Sequence, residues 1–153
     1  MRYSFDTSAL VVPFRNWPAP AVMPSLWNKL DSLIQSKDIV ASKEVYIEIS
    51  EKDDDLLRWV VEREYMFLEI DEEQQETVRR IMRRFPKWVD ADSEKNNADP
   101  WVIALAIRYG LAVVNNEMHG GEKNPKIPYV CKVFGVKHLS LKDEFLEEIN
   151  WQA

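Results

Sequence analysis

The 153-residue sequence predicts an α/β fold in which helices cover both faces of a central, mainly parallel sheet of four to five strands, a three-layer α/β/α arrangement. Three observations carry this expectation. Short strand-like runs alternate with helical periods along the whole chain. The segment from Trp101 to Tyr109 is apolar on nearly every face apart from Arg108, as for a helix buried against a sheet, and Leu111 to Val114 has the β-branched character of an interior strand. With 46% hydrophobic residues and six tryptophans the chain can bury a full core, so residues 1–153 are expected to form a single domain.

Tyr3 to Phe5 reads as a short first strand running into Asp6-Thr7-Ser8. Ala9 to Phe14 begins a helix that Pro13 should disturb. Asn16 to Pro24 holds three of the eight prolines and reads as a surface loop, after which Pro24 to Gln35 has an amphipathic period with Leu26, Trp27, Leu30, Leu33 and Ile34 inward. Asp38 to Ala41 is a second strand. Ser42 then caps a helix with Val45, Tyr46 and Ile49 on its apolar face and Glu44 and Glu48 four residues apart.

Asp53 to Asp55 open the next helix, Leu56 to Glu62, where the helix dipole favours negative charge; a capped start is preferred here to a metal site. Met66 to Ile70 is a third strand, at an edge. Asp71 to Phe85 is a helix with acids first and Arg79, Arg80, Arg83 and Arg84 last, the order that suits the dipole, and those arginines read as a solvated face rather than a phosphate track. Phe85 to Asn97 is a polar loop. Asp99-Pro100 looks like an N-cap carboxylate and a first-turn proline; the helix they open runs to a turn at Gly110, and the strand after it ends in Asn115-Asn116-Glu117. A loop with two glycines and several lysines follows. Pro128 opens a short helix to Phe134 with Gly135 as its stop, Val136 to Leu141 is a last strand, and Lys142 to Ile149 a last helix. Of the two histidines, His119 reads as a solvated loop residue and His138 as a strand residue without a visible partner.

A net charge of −6 argues against a broad basic surface for nucleic acid, while leaving room for a local basic groove. The single cysteine, Cys131, cannot form an internal disulfide and sits in an apolar segment, which points to a reducing, cytoplasmic compartment. No signal peptide and no membrane span are expected. Neither G-x-x-x-x-G-K-[ST] nor G-x-G-x-x-G is present, so nucleotide binding through those loops is unsupported.

In doubly wound sheets ligands sit outside the carboxyl ends of the strands, where the strand order reverses, commonly between the first strand and the fourth. Asp6 ends the first strand, Glu117 follows the fourth, Asp99 opens the helix that enters the fourth, and Glu48 lies about a turn and a half into the helix after the second. Four carboxylates are therefore expected at one crevice.

With Phe5-Asp6-Thr7-Ser8, Val45-Tyr46-Ile47-Glu48-Ile49, Ala98-Asp99-Pro100-Trp101-Val102-Ile103-Ala104 and Val113-Val114-Asn115-Asn116-Glu117 in this order and spacing, the sequence resembles the PIN-domain family of nucleases, the fold of VapC-type toxins. Lys126 to Cys131 with Phe134-Gly135-Val136 looks like a less studied branch of it. The resemblance implies a metal-dependent endoribonuclease that hydrolyses RNA phosphodiesters, with Asp6, Glu48, Asp99 and Glu117 as catalytic and metal-binding acids for Mg²⁺ or Mn²⁺ and Thr7 or Ser8 as a supporting hydroxyl. The donors suit the ions, because hard divalent cations prefer carboxylate oxygen and water. It also implies RNA as substrate, a cognate antitoxin as partner and a homodimer. Two positions depart from the family pattern: the last acid is Glu117 where aspartate is more usual, and Asn115 stands where threonine or serine is usual. A haloacid-dehalogenase-type phosphatase would want a second aspartate where Ser8 stands. The rival reading is a PIN-like module that binds RNA or protein without cleaving.

Overall fold

A computed structural model of the chain describes residues 1–52, 54–89 and 97–151. Five strands, β1 (Tyr3–Phe5), β2 (Ile39–Ser42), β3 (Phe67–Leu68), β4 (Ala112–Asn115) and β5 (His138–Ser140), form one sheet in the order β3-β2-β1-β4-β5. Every pairing is parallel. Parallel neighbours need a crossover between them, and helices supply it: α1 (Thr7–Asn16), α2 (Pro24–Gln35), α3 (Lys43–Ser50), α4 (Asp55–Val61), α5 (Glu72–Arg84), α6 (Asp99–Tyr109) and α7 (Ile127–Phe134), while the short α8 (Leu146–Glu148) follows β5. Strand order reverses between β1 and β4, as expected for a doubly wound sheet.

The alternation of β1 assigns the layers. Tyr3 and Phe5 face one side, where both rings meet the edge of Phe145 at 5.1 and 5.2 Å and where Leu10 of α1 and Trp27 and Leu30 of α2 gather around Phe5 and Ile39. Ser4 faces the other side and donates its hydroxyl to the Val102 carbonyl of α6 at 2.9 Å. α6 packs on α5 and α7, so this second face is covered too. β1, β2 and β4 are buried along their whole length, which is why β2 and β4 open as continuous apolar runs rather than alternating ones. Gly110 closes α6 at φ +68°, a left-handed cap that a side chain would resist.

Several boundaries differ from the sequence reading. α1 starts at Thr7, because Asp6 caps it, and runs through Pro13 to Asn16; the proline lacks an N–H, but its ring is buried in the core. Ser42 caps α3 as expected, and Asp54 caps α4 by accepting from the Leu57 N–H, while Asp53 lies outside the described residues. β3 is only two residues long, since Glu64–Met66 forms a 3₁₀ turn before it. Residues 90–96 of the expected polar loop lie outside the described residues. The expected last helix is divided: Leu141–Phe145 is a π turn, opened by Ser140 and Glu144 bonding each other's backbone amides, and α8 continues it. Trp27 belongs to the core, its ring against Trp59 at 6.1 Å and its indole N–H donated to the Pro18 carbonyl at 2.7 Å. Among the described residues no helix is long and apolar enough to cross a membrane.

Trp27 ties the proline-containing loop, α2 and α4 together, so Trp27→Ala should cost about 3–5 kcal/mol in a urea titration. A loss within about 0.5 kcal/mol, the usual range for surface positions, would remove this cluster from the core.

Candidate metal centre

β1 ends at Phe5, and the next amide, Asp6 N–H, is donated to the Val114 carbonyl at 3.0 Å, which ties the first residue beyond β1 to the end of β4. Asp6 is N-cap of α1; its Oδ2 accepts the Ser8 hydroxyl at 2.7 Å and, weakly, the Ser8 amide at 3.4 Å. The Ser8 hydroxyl in turn accepts the Asn116 N–H at 2.9 Å, so one serine bridges the acid after β1 and the backbone after β4. Asp6 Oδ1 is buried and has no hydrogen-bond partner.

Asp99 is not the N-cap of its helix. Ala98, in right-handed helical conformation, holds that position without a side-chain bond, and Asp99 is the first helical residue. The carboxyl is thereby left free of the amides of its own helix. Asp99 is 4% exposed, and its Oδ2 is buried without a partner. Glu117, two residues past β4, accepts the Asn115 side-chain amide at 3.3 Å. One oxygen from each of Asp6, Asp99 and Glu117 lies within 4.8 Å of the others.

Glu48 stands beside this triad and is not part of it, since the group whose oxygens all lie that close contains three acids only. Its influence is electrostatic: Glu48 raises the proton affinity of Asp99, and Asp6 raises that of Glu48. Glu48 Oε2 is buried without a partner. The nearby Thr7 hydroxyl and Ala98 N–H oppose the shift, although no well-aligned hydrogen bond joins Thr7 to the carboxylate. Glu44, at the start of the same helix, lies outside the triad; its amide is taken by the Ser42 hydroxyl.

All four acids are pushed toward the protonated form. Burial is the first cause in each, and for Asp6 the charge of Glu117 adds to it, bringing the carboxyl from 3.8 to about 6 against the opposing hydrogen bonds of Ser8 and Thr7. Asp99 is raised well above the usual range by burial and by Asp6, Glu117 and Glu48 together. Glu117 is raised by burial, with Lys126 and the Ile127 N–H pulling it back.

Three neighbours were not expected from the sequence. Lys126 opposes the rise of both Asp99 and Glu117, although it lies nine residues from the nearer of them in the chain. Asn115, fully buried, links Glu117 to His138, whose Nε2 pairs with Asn115 Oδ1. His138 therefore has a partner after all; β4 and β5 run side by side, and both side chains stand on the α6 face of the sheet. Burial holds its imidazole below the usual value, toward the neutral form. His119 is exposed, as expected, with its ring 5.9 Å from that of Tyr129. The Cys131 thiol is buried, pushed up to about 12 by that burial, and lies outside the triad.

The residues fit a hard divalent cation. Two buried carboxylate oxygens without partners, three acids within one ion's reach and a shared excess of proton affinity are what a site short of positive charge looks like. Their elevated proton affinities also set a sign. The folded chain binds the Asp6 proton more tightly than the unfolded chain does, so this contribution to stability is present below about pH 4 and is lost as pH rises through about 6, by about 3 kcal/mol. In chelator at pH 7, Asp6→Asn and Asp99→Asn are expected to melt above the parent and to lose part of its decline between pH 4 and 6. Lower melting temperatures for both variants at pH 7 would show that these carboxylates are not a strained cluster.

In fold the chain is similar to the crystal structure of VapBC2 from Rickettsia felis bound to a DNA fragment from their promoter, with a TM-score of 0.52 at 14% identity, covering 92% of this chain and 98% of that one. The likeness shows the PIN/VapC-like fold that the motifs implied. No curated protein matches the sequence. Residues 3–153 match the family described as "Domain of unknown function (DUF4411)", and the chain belongs to that family.

Proposed function

We propose that this protein is a metal-dependent endoribonuclease and the toxin of a toxin-antitoxin pair. The observation that carries the reading is the triad Asp6, Asp99 and Glu117, at the reversal of strand order in a PIN/VapC-like fold, with unpartnered buried oxygens on its two aspartates. Asp6, Asp99 and Glu117 would hold Mg²⁺ or Mn²⁺, with Glu48 reaching it directly or across a water. When bound there, the ion would supply positive charge for the oxygens of a phosphodiester and for the activation of a water.

The chain's own groups do the positioning. Ser8 occupies one oxygen of Asp6, leaving the other for the ion. Asn115 orients Glu117, and its own amide is oriented by His138. Lys126 adds a positive charge at the rim, where the incoming phosphate would lie. Neither histidine is needed as a general base. Likeness to a VapBC2 structure supports an antitoxin as partner, and a homodimer belongs to the same reading.

Purified protein should degrade single-stranded RNA only with Mg²⁺ or Mn²⁺ present, and Asp99→Asn should abolish this. RNA that is bound but left intact by the parent with either ion would favour the non-cleaving module. Glu48→Gln should likewise abolish cleavage, whereas Glu44→Gln should retain most of it, because Glu44 has only the bland role of an acid in a first helical turn. The reverse pattern sinks the assignment of Glu48. Binding of Mn²⁺ to the folded state should stabilise it by about 2.7 kcal/mol at a hundred times its dissociation constant; Asp99→Asn should erase that shift in a thermal melt.

A further inference from the structure

Beyond the acidic centre, three of the chain's cations line one cleft. The end of α5 and the residues after it face the loop between β4 and α7, and between the two lies an open cleft of about 410 Å³. Arg84, Lys87 and Lys123 line it, with Glu122 the one acid among the described residues. Lys87 and Lys123 are exposed and have no ion-pair partner among the described residues. Trp88 is in the wall, and its buried indole N–H has no acceptor. In a protein of net charge −6, a wall made of donors and cations is a local exception.

Arg84 shows what the cleft is shaped to hold. Both of its terminal nitrogens reach the carboxylate of Glu122, Nη2 at 2.9 Å, and the Tyr129 hydroxyl donates to the same carboxylate at 2.7 Å. A planar anion thus already fills the guanidinium fork, in the paired geometry that a phosphate also takes. The pair is half exposed, with side-chain exposures of 43% and 53%, so exchange for another anion is inexpensive.

The cleft adjoins the acidic centre through the chain. Pro125 lines it, and the next residue, Lys126, acts on Asp99 and Glu117. The segment between them is closely packed: Gly120, at φ +75°, pairs with Pro125, an added Cβ there would sit 2.6 Å from the Lys126 nitrogen, and the Tyr129 ring packs against His119 at 5.9 Å and Phe85 at 6.2 Å.

We propose that this cleft binds the phosphate backbone of single-stranded RNA next to the scissile bond, with Arg84, Lys87 and Lys123 as phosphate contacts and Glu122 as the internal anion that the RNA displaces. The inference rests on the ribonuclease reading of the acidic centre, and adjacency to that centre favours RNA over an acidic protein segment as occupant.

The test is fluorescence anisotropy of a short labelled single-stranded RNA, in EDTA so that nothing is cleaved, over a range of salt. The triple variant Arg84→Ala/Lys87→Ala/Lys123→Ala should bind about tenfold more weakly, and the slope of log K against log salt should shrink by about 0.7 for each lost contact. Glu122→Gln should bind more tightly than the parent. Lys29→Ala, on the exposed side of α2, should change neither quantity. Lys87→Ala and Lys123→Ala singly, at exposed positions, guard against misfolding of the triple variant and should each lower the slope. Parental affinity and slope in the single and triple variants, or weaker binding by Glu122→Gln, overturns the proposal; so does a labelled acidic peptide that binds this cleft more tightly than RNA. Metal-dependent cleavage with cleft-independent binding would sink the cleft alone, whereas cleft-dependent binding without cleavage would sink the nuclease reading and leave the cleft.

Discussion

Repulsion among the carboxylates of buried Asp6 and Asp99 and half-buried Glu117 raises the free energy of the folded chain, and their surroundings compensate only in part. Ser8 donates to Asp6, Asn115 donates to Glu117, and Lys126 opposes the charge of Asp99 and Glu117. Two oxygens remain without any partner. An arrangement this costly persists only when the rest of the structure over-determines it. Here the over-determination comes from the sheet, whose three central strands are fully buried, and from α6, buried along most of its length.

Topology brings the acids together without any attraction between them. β1 and β4 are parallel neighbours, so the residues following each strand emerge at the same edge, and α6, which feeds β4, begins there as well. A helix that starts with Ala98 as its cap leaves Asp99 free, whereas the capping role of Asp6 occupies only one of its two oxygens. Small choices of local geometry therefore decide which oxygens remain for a ligand.

Charge is graded along the same edge. At the strand ends the groups are acidic; Lys126 marks the transition, and Arg84, Lys87 and Lys123 lie beyond it. In a protein with an overall negative charge, such a gradient would, in the proposed reading, orient a polyanion with one phosphate at the acids and its neighbours on cations. Long-range pairing of Arg84 with Glu122, together with the local bond from Tyr129 to Glu122, ties down the loop that carries Lys126.

Much of this was legible in the chain itself. Alternating apolar runs and helical periods determined the α/β class, the five strands and the edge on which Asp6, Glu48, Asp99 and Glu117 had to emerge, because strand and helix periods are local properties of sequence. Boundaries at Thr7, at Leu141 and before Phe67 were not legible, since capping by Asp6 and Ser140 and the shortness of an edge strand depend on what packs beside them. Only the tertiary structure separated Glu48 from the tight triad and moved Asp99 from cap to first helical residue. It alone gave His138 a partner in Asn115 and set Lys126 against the acids. Those relations join residues far apart in the chain, and their strength depends on distance and burial, which only the packed fold sets.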